Sequence, residues 1–184
     1  MKIYNRSNTK IRDFTIGYFA DGDLGNPNDD YAGTDSTRNL MYYYNADNMD
    51  ENIQGTQGFE ENPPAFGIVC LNDTMNSSGQ FTMGTNDPQN ASQYWNVMNA
   101  RSIFGAPWTD DNGDLTNYMY YDSPTVQGGY SGFDMQIPAE DTRTVMSVKT
   151  NDLAPDTSIT RTYAIIPTYG NDHIDAVSQL FSRV

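Results

Sequence analysis

The chain contains a single cysteine, Cys70, so it forms no internal disulfide and holds no cysteine-based metal cluster. The neighbours of that residue in FGIVCLN are apolar, which reads as a buried core thiol. Histidine is equally scarce. The one copy, His173 in GNDHIDAV, borders a helical segment and reads as a cap or surface residue rather than a general base. No GxSxG, Walker A loop or HExxH occurs, so the common nucleophile, phosphate-binding and zinc-protease signatures are missing. Basic residues number 10 against 24 acidic ones, a net charge of −14. The field of such a chain repels polyphosphate and acidic headgroups, which disfavours nucleic acid and anionic membrane surfaces as partners. Apolar runs are short, and none approaches the roughly 20 residues needed to cross a bilayer, so no membrane insertion is expected. The opening MKIYNRSNTK also lacks the apolar core of a signal peptide. The expectation is a single β-rich domain over residues 1–184, a fragment of a longer exported protein.

What the chain does have is aromatic. The hydrophobic fraction is 37% and mean hydropathy −0.67, yet 13 Tyr, 8 Phe and 2 Trp make up 12% of the residues. Disordered chains are poor in such side chains, so the composition reads as folded but rich in loops. Strand signals dominate. RDFTIGYFAD alternates, TRNLMYYYN is a dense aromatic run, PAFGIVCLN suits a strand buried on both faces, and RTVMSVKT and SITRTYAIIPTY flank the turn NDLAPDT. Two helices are expected. One lies in ASQYWNVMNARSIFG, with Ser92 as N-cap and Gly105 as stop; the other closes the chain, with Ile174, Val177 and Phe181 on one face. Short strands, long loops and few helices indicate an all-β fold, a β-sandwich or jelly roll.

The stretch DGDLGNPNDDYAGTD, residues 21–35, holds five aspartates and no basic residue. Calcium takes 6–8 hard oxygen ligands from a flexible loop. The expected ligands are Asp21, Asp23, Asp29, Asp30 and Asp35, with Asn26 and Asn28 as further donors. The fifth, sixth and twelfth positions do not match an EF-hand. A solvated acidic turn is the alternative reading. TDDNGDLTN places Asp110, Asn112 and Asp114 at alternate positions, but reads better as an Asn-Gly turn. Glu60 and Glu61 form an acidic pair of the kind glycosidases use, a weak signal in so acidic a chain. Tyr42, Tyr44, Trp95 and Trp108 offer rings for stacking on sugars, unless they pack under the loops. Since consecutive strand residues face opposite sides, at least one of Tyr42 and Tyr43 is expected to point outwards.

Several of these stretches together resemble a domain of large exported multidomain surface proteins of Bacteroidetes, many of which carry type IX secretion sorting tails. DGDLGNPNDDYAGTD with TRNLMYYYNAD is similar to that family's acidic stretch and following aromatic strand. NPPAFGIVCL, QYWNVMNARSIFGAPW, TNYMYYDSPTVQGGYSG and the EDTRTVMSVKT segment follow in the family's order, and DAVSQLF matches its closing helix. The chain departs from the family at Thr34, where a cysteine is common, and at Tyr130, near which a tryptophan is usual. The resemblance implies an extracellular or cell-surface location, calcium in the acidic loop and no defined catalysis. The leading expectation is a non-catalytic, calcium-stabilised adhesive or spacer domain. Its partners would be neighbouring domains of the same polypeptide, surface glycans or other surface proteins. A carbohydrate-binding module is the first alternative. A carboxylate-based glycoside hydrolase, needing two carboxylates about 5–9.5 Å apart in one cleft, is the second.

Overall fold

In the computed structural model, which describes residues 1–150 and 152–184, Leu40–Asn45 is buried at every position. A strand that alternates faces can be buried throughout only if both faces are covered. That strand is the fourth of eleven among the described residues: β1 Lys2–Tyr4, β2 Thr15–Asp21, β3 Asp30–Asp35, β4 Leu40–Asn45, β5 Met49–Asp50, β6 Glu60–Glu61, β7 Ala65–Cys70, β8 Ser77–Thr82, β9 Thr142–Lys149, β10 Ser158–Thr160 and β11 Tyr163–Thr168. Two helices accompany them, α1 Ala91–Val97 and α2 His173–Arg183. The fold is all-β and sandwich-like, with long loops and a C-terminal helix. One antiparallel sheet runs β11–β7–β4–β3 and a second runs β2–β9–β8, while β1 pairs with β10 and β5 with β6.

On one face of the first sheet, Leu40, Tyr42, Tyr44, Ala65 and Val69 meet Ala176, Val177 and Leu180 of α2. On the other, Met41, Ile68 and Cys70 meet Met146 and Val148 of the second sheet, with Met75 between them. Tyr43 joins Leu24 and Ala32 in a smaller cluster at one end. Neither Tyr42 nor Tyr43 therefore faces outwards, contrary to the alternation argument: helix, sheet and sheet form three layers, and the central strand has no wet side. Tyr42 sits between glycines in the strands on either side, opposite Gly33 and Gly67. A Cβ at Gly33 would lie 2.4 Å from the Tyr42 ring, and one at Gly67 would lie 2.5 Å from Leu40 Cδ1. Those absent side chains make room for the tyrosine and for α2.

The helix α2 starts where Asp172 accepts the Asp175 amide at 2.6 Å, and it buries Ala176, Val177 and Leu180 at helical spacing. The expected Ile174 and Phe181 flank that seam, partly buried. In α1 the N-cap is Asn90, not Ser92: its side chain accepts the Gln93 amide at 3.1 Å. The helix ends at Val97, well before Gly105, because Ala100 enters the left-handed region at φ 56°. SITRTYAIIPTY is divided, since β10 pairs with β1 and β11 with β7. The turn expected at 151–157 begins at Asn151, outside the described residues; beyond it Ala154 O accepts the Thr157 hydroxyl at 2.7 Å.

Candidate cation-binding site

The acidic stretch joins β2 to β3, and its loop is fastened by buried carboxylates. Leu24 anchors the loop in the apolar cluster with Tyr43 and Ala32. Pro27–Asp29 forms a 3-10 turn capped by Asn26, whose side chain accepts the Asn28 amide at 3.2 Å. Asp30 Oδ2 accepts the Leu24 amide at 2.9 Å. Asp50 Oδ1 accepts the Asn26 amide at 2.9 Å, and its Oδ2 accepts the Phe59 amide at 2.7 Å. Gly25 permits this approach. Its φ is 72°, and a Cβ there would fall 2.0 Å from Asp50 Oδ2.

These contacts leave three oxygens over. Asp29 Oδ1, Asp30 Oδ1 and Asn45 Oδ1 are buried and have no hydrogen-bond donor among the described residues. Asp30 and Asn45 are direct partners across β3 and β4, so their side chains share a face. Asn45 is held in one orientation, because its Nδ2 donates to the carbonyls of Asp47 and Met49 at 3.1 Å each. Turning the amide over would set an oxygen against two carbonyls, so the orphan is an acceptor.

Titration reflects the strain. Burial pushes the Asp30 carboxyl up to about 9; the Leu24 amide opposes this, and the Asp29, Asp50 and Asp23 carboxylates add to it. Burial also lifts Asp29 to about 7, followed by the field of Asp50 and a contact with the Glu51 carboxyl that needs a shared proton. Such a site is relieved either by protons or by a cation. The donor set is all oxygen, from carboxylates and one amide, as hard cations require. It fits calcium in donor chemistry, with Asp29, Asp30 and Asn45 as the residues that would hold it.

The five expected ligands are not brought together. Asp21 and Asp23 lie at the end of β2 with Asp141, their carboxylate oxygens within 4.8 Å of one another. This triad is mostly exposed, and Arg143 pairs with Asp21 at 3.0 Å. Asp35 stands at the far end of β3, five residues and about 16 Å from Asp30 at about 3.3 Å per residue. There it accepts from Thr37 and Arg38 and closes the β3–β4 turn. Burial raises its carboxyl, but the Thr37 and Arg38 hydrogen bonds outweigh that and hold it below the usual range. Asn45 and Asp50 lie outside the acidic stretch. Asn45 follows from the hairpin register, whereas Asp50 carries no sequence signal.

The other candidates resolve as follows. Tyr42 and Tyr44 have no exposed surface, and Trp108 retains 8%. The first two pack beneath α2, and Trp108 covers Gly79 within a cluster with Phe81, Val97 and Val145. None of the three offers a ring to a ligand. Trp95 is exposed on α1. TDDNGDLTN is a turn, in which Asp110 Oδ1 accepts the Asn112 and Asp114 amides and Gly113 has a φ of 83°. Glu60 and Glu61 are exposed neighbours on β6 and line one open groove together with Asp50, Glu51 and Phe59. His173 is neither cap nor surface residue. It is a buried first residue of α2, with Nδ1 2.6 Å from Asn48 Oδ1, and burial lowers its pKa despite Asp172 and Asp47.

No protein-family model, no curated protein and no solved structure matches the chain.

Proposed function

We propose that the chain is a non-catalytic extracellular or cell-surface module whose acidic loop holds a structural calcium ion. It serves as a spacer or adhesive domain beside neighbouring domains of the same polypeptide. The carrying observation is the set of buried acceptors Asp29 Oδ1, Asp30 Oδ1 and Asn45 Oδ1, which have no donors among the described residues and lie where burial, and then neighbouring carboxylates, raise the pKa of Asp29 and Asp30. A second aspect of the loop supports the reading: Asp30 and Asp50 fasten it through the amides of Leu24, Asn26 and Phe59, so neutralising this corner orders the link between the two sheets. The charge of −14 and the likeness to exported surface domains favour a calcium-containing external medium over the cell interior.

The test is thermal unfolding in calcium and in EDTA at neutral pH. A ligand that binds only the folded state adds RT ln(1 + [Ca]/Kd), about 2.7 kcal/mol at 100 times Kd. The expected result is a melting temperature that climbs with calcium and drops on chelation. Equal melting temperatures in the two buffers would remove the calcium clamp.

A further inference from the structure

The outer face of the β2–β9–β8 sheet is only partly covered. Gly17, Phe19 and Asp21 alternate along β2 on the side away from the core, and Arg143 of β9 stands opposite Asp21. Helix α1 lies across this face: Met98, just past its end, meets Gly17, and Tyr94 meets Phe19 edge to face with ring centroids 6.2 Å apart. Where α1 and the preceding segment leave the sheet open, Phe19, Asp21, Asp87, Pro88, Gln89, Tyr94 and Arg143 line a cleft of about 390 Å3. That is within the roughly 300–1,000 Å3 usual for small-molecule sites.

The lining is unusual for an idle surface. Phe19 and Tyr94 remain 41% and 40% exposed, and their rings, inclined at 73°, make a corner rather than a flat platform. Polar groups stand beside that corner. Arg143 donates to Asp87 Oδ2 at 2.8 Å and pairs with Asp21. Asp87 is nine-tenths buried, and its Oδ1 has no donor among the described residues. Gln89 is fixed through its backbone N–H, which donates to Gln93 Oε1 at 2.6 Å.

Charge selects the ligand class. Two carboxylates flank one guanidinium, with Asp23 and Asp141 close to Asp21, so an anion meets net repulsion. A quaternary ammonium would be drawn to the rings but would face Arg143. A neutral polyhydroxylated ring satisfies both parts: its C–H face packs on an aromatic side chain while its hydroxyls bond to carboxylate, guanidinium and amide. We propose that the cleft between Phe19 and Tyr94 binds one pyranose unit of a neutral glycan. A corner suits a single sugar unit better than a long run of them. This site is separate from the Asp29–Asp30–Asn45 corner, so its fate does not depend on the calcium reading.

The experiment screens the labelled protein on an array of neutral, sialylated and sulfated glycans, then measures the strongest neutral hit by calorimetry. Tyr94→Ala and Phe19→Ala are each expected to weaken binding about tenfold or more. Phe104→Ala, at a site 89% exposed on the loop after α1, should leave it unchanged. Circular dichroism checks the fold of each variant, and Gln89→Ala replaces an aromatic variant that fails to fold, with the same loss expected. A silent array overturns the proposal. So does binding confined to sialylated or sulfated glycans, preferential binding of tetramethylammonium, or full affinity in the cleft variants. Because the measurements are repeated in EDTA, a failed calcium clamp and a failed glycan site give different results.

Discussion

The surroundings of Asp30 resist its ionisation. Burial, and then neighbouring carboxylates, lift its pKa to about 9 against the opposing Leu24 amide, while Asp29 stands at about 7. In the unfolded chain both titrate near 3.8. Between pH of about 4 and 9 the folded state therefore holds more protons than the unfolded one. Stability from these groups is complete below about pH 4 and is lost as pH rises through their folded values. Calcium works in the other direction, because it favours the ionised carboxylates. In EDTA the melting temperature of the native protein should fall steadily from about pH 5 to 9, and calcium should flatten that slope. Asp30→Asn removes the ionisable carboxyl and supplies an NH2 group on the face shared with Asn45 Oδ1. At about pH 8 in EDTA this variant should gain on the order of 1–2 kcal/mol over the native chain, a rise of about 2–8 °C, while its response to calcium disappears. A native melting temperature that ignores pH in EDTA would refute the buried-charge account.

At the scale of elements, the central strand shows what patterning does and does not disclose. The alternation of RDFTIGYFAD, the apolar run of PAFGIVCLN and the spacing of Val177 in the last helix all predict elements that are present. The burial of both faces of β4 was not legible, because alternation assigns side chains to faces without saying what lies on them. Here the two covers, β9 and α2, arrive about a hundred residues or more downstream. The candidate site divides in the same way. Asp29 and Asp30 stand out by carboxylate density alone, but Asn45 requires the register of the β3–β4 hairpin. Asp35 drops out for the same reason, since the strand that begins at Asp30 carries it to the other end. Helix α2 supplies a direct test of the layering. Leu180 has no exposed surface and rests against the opening at Gly67. Leu180→Ala should cost about 2–5 kcal/mol, visible as a lower midpoint in urea with little change in slope. An exposed helix would lose less than about 0.5 kcal/mol from the same change.

For the whole molecule, the question is whether calcium acts at one corner or merely screens a chain with net charge −14 and a pI near 4.1. Self-repulsion among exposed carboxylates destabilises any compact acidic chain, and any salt relieves it. The Debye length shortens from about 30 Å at 0.01 M to about 3 Å at 1 M, so sodium chloride should raise the melting temperature and then level off. Exposed groups such as Asp21, Asp23 and Glu61 belong to this general effect. The buried oxygens of Asp29, Asp30 and Asn45 do not, because a hydrated monovalent ion gains too little there to replace the missing donors. Titrating calcium into protein already at high sodium chloride separates the two. A site that binds only the folded state adds about 1.4 kcal/mol for each tenfold rise in calcium above Kd, whatever the background salt. Magnesium should do less, since it sheds water reluctantly and demands near-octahedral geometry. Gly25→Ala, which drives a methyl group into Asp50, should abolish the calcium increment and spare the sodium one. If high salt absorbs the whole calcium effect, residues 21–35 are a solvated acidic turn and the two sheets hold together without a clamp.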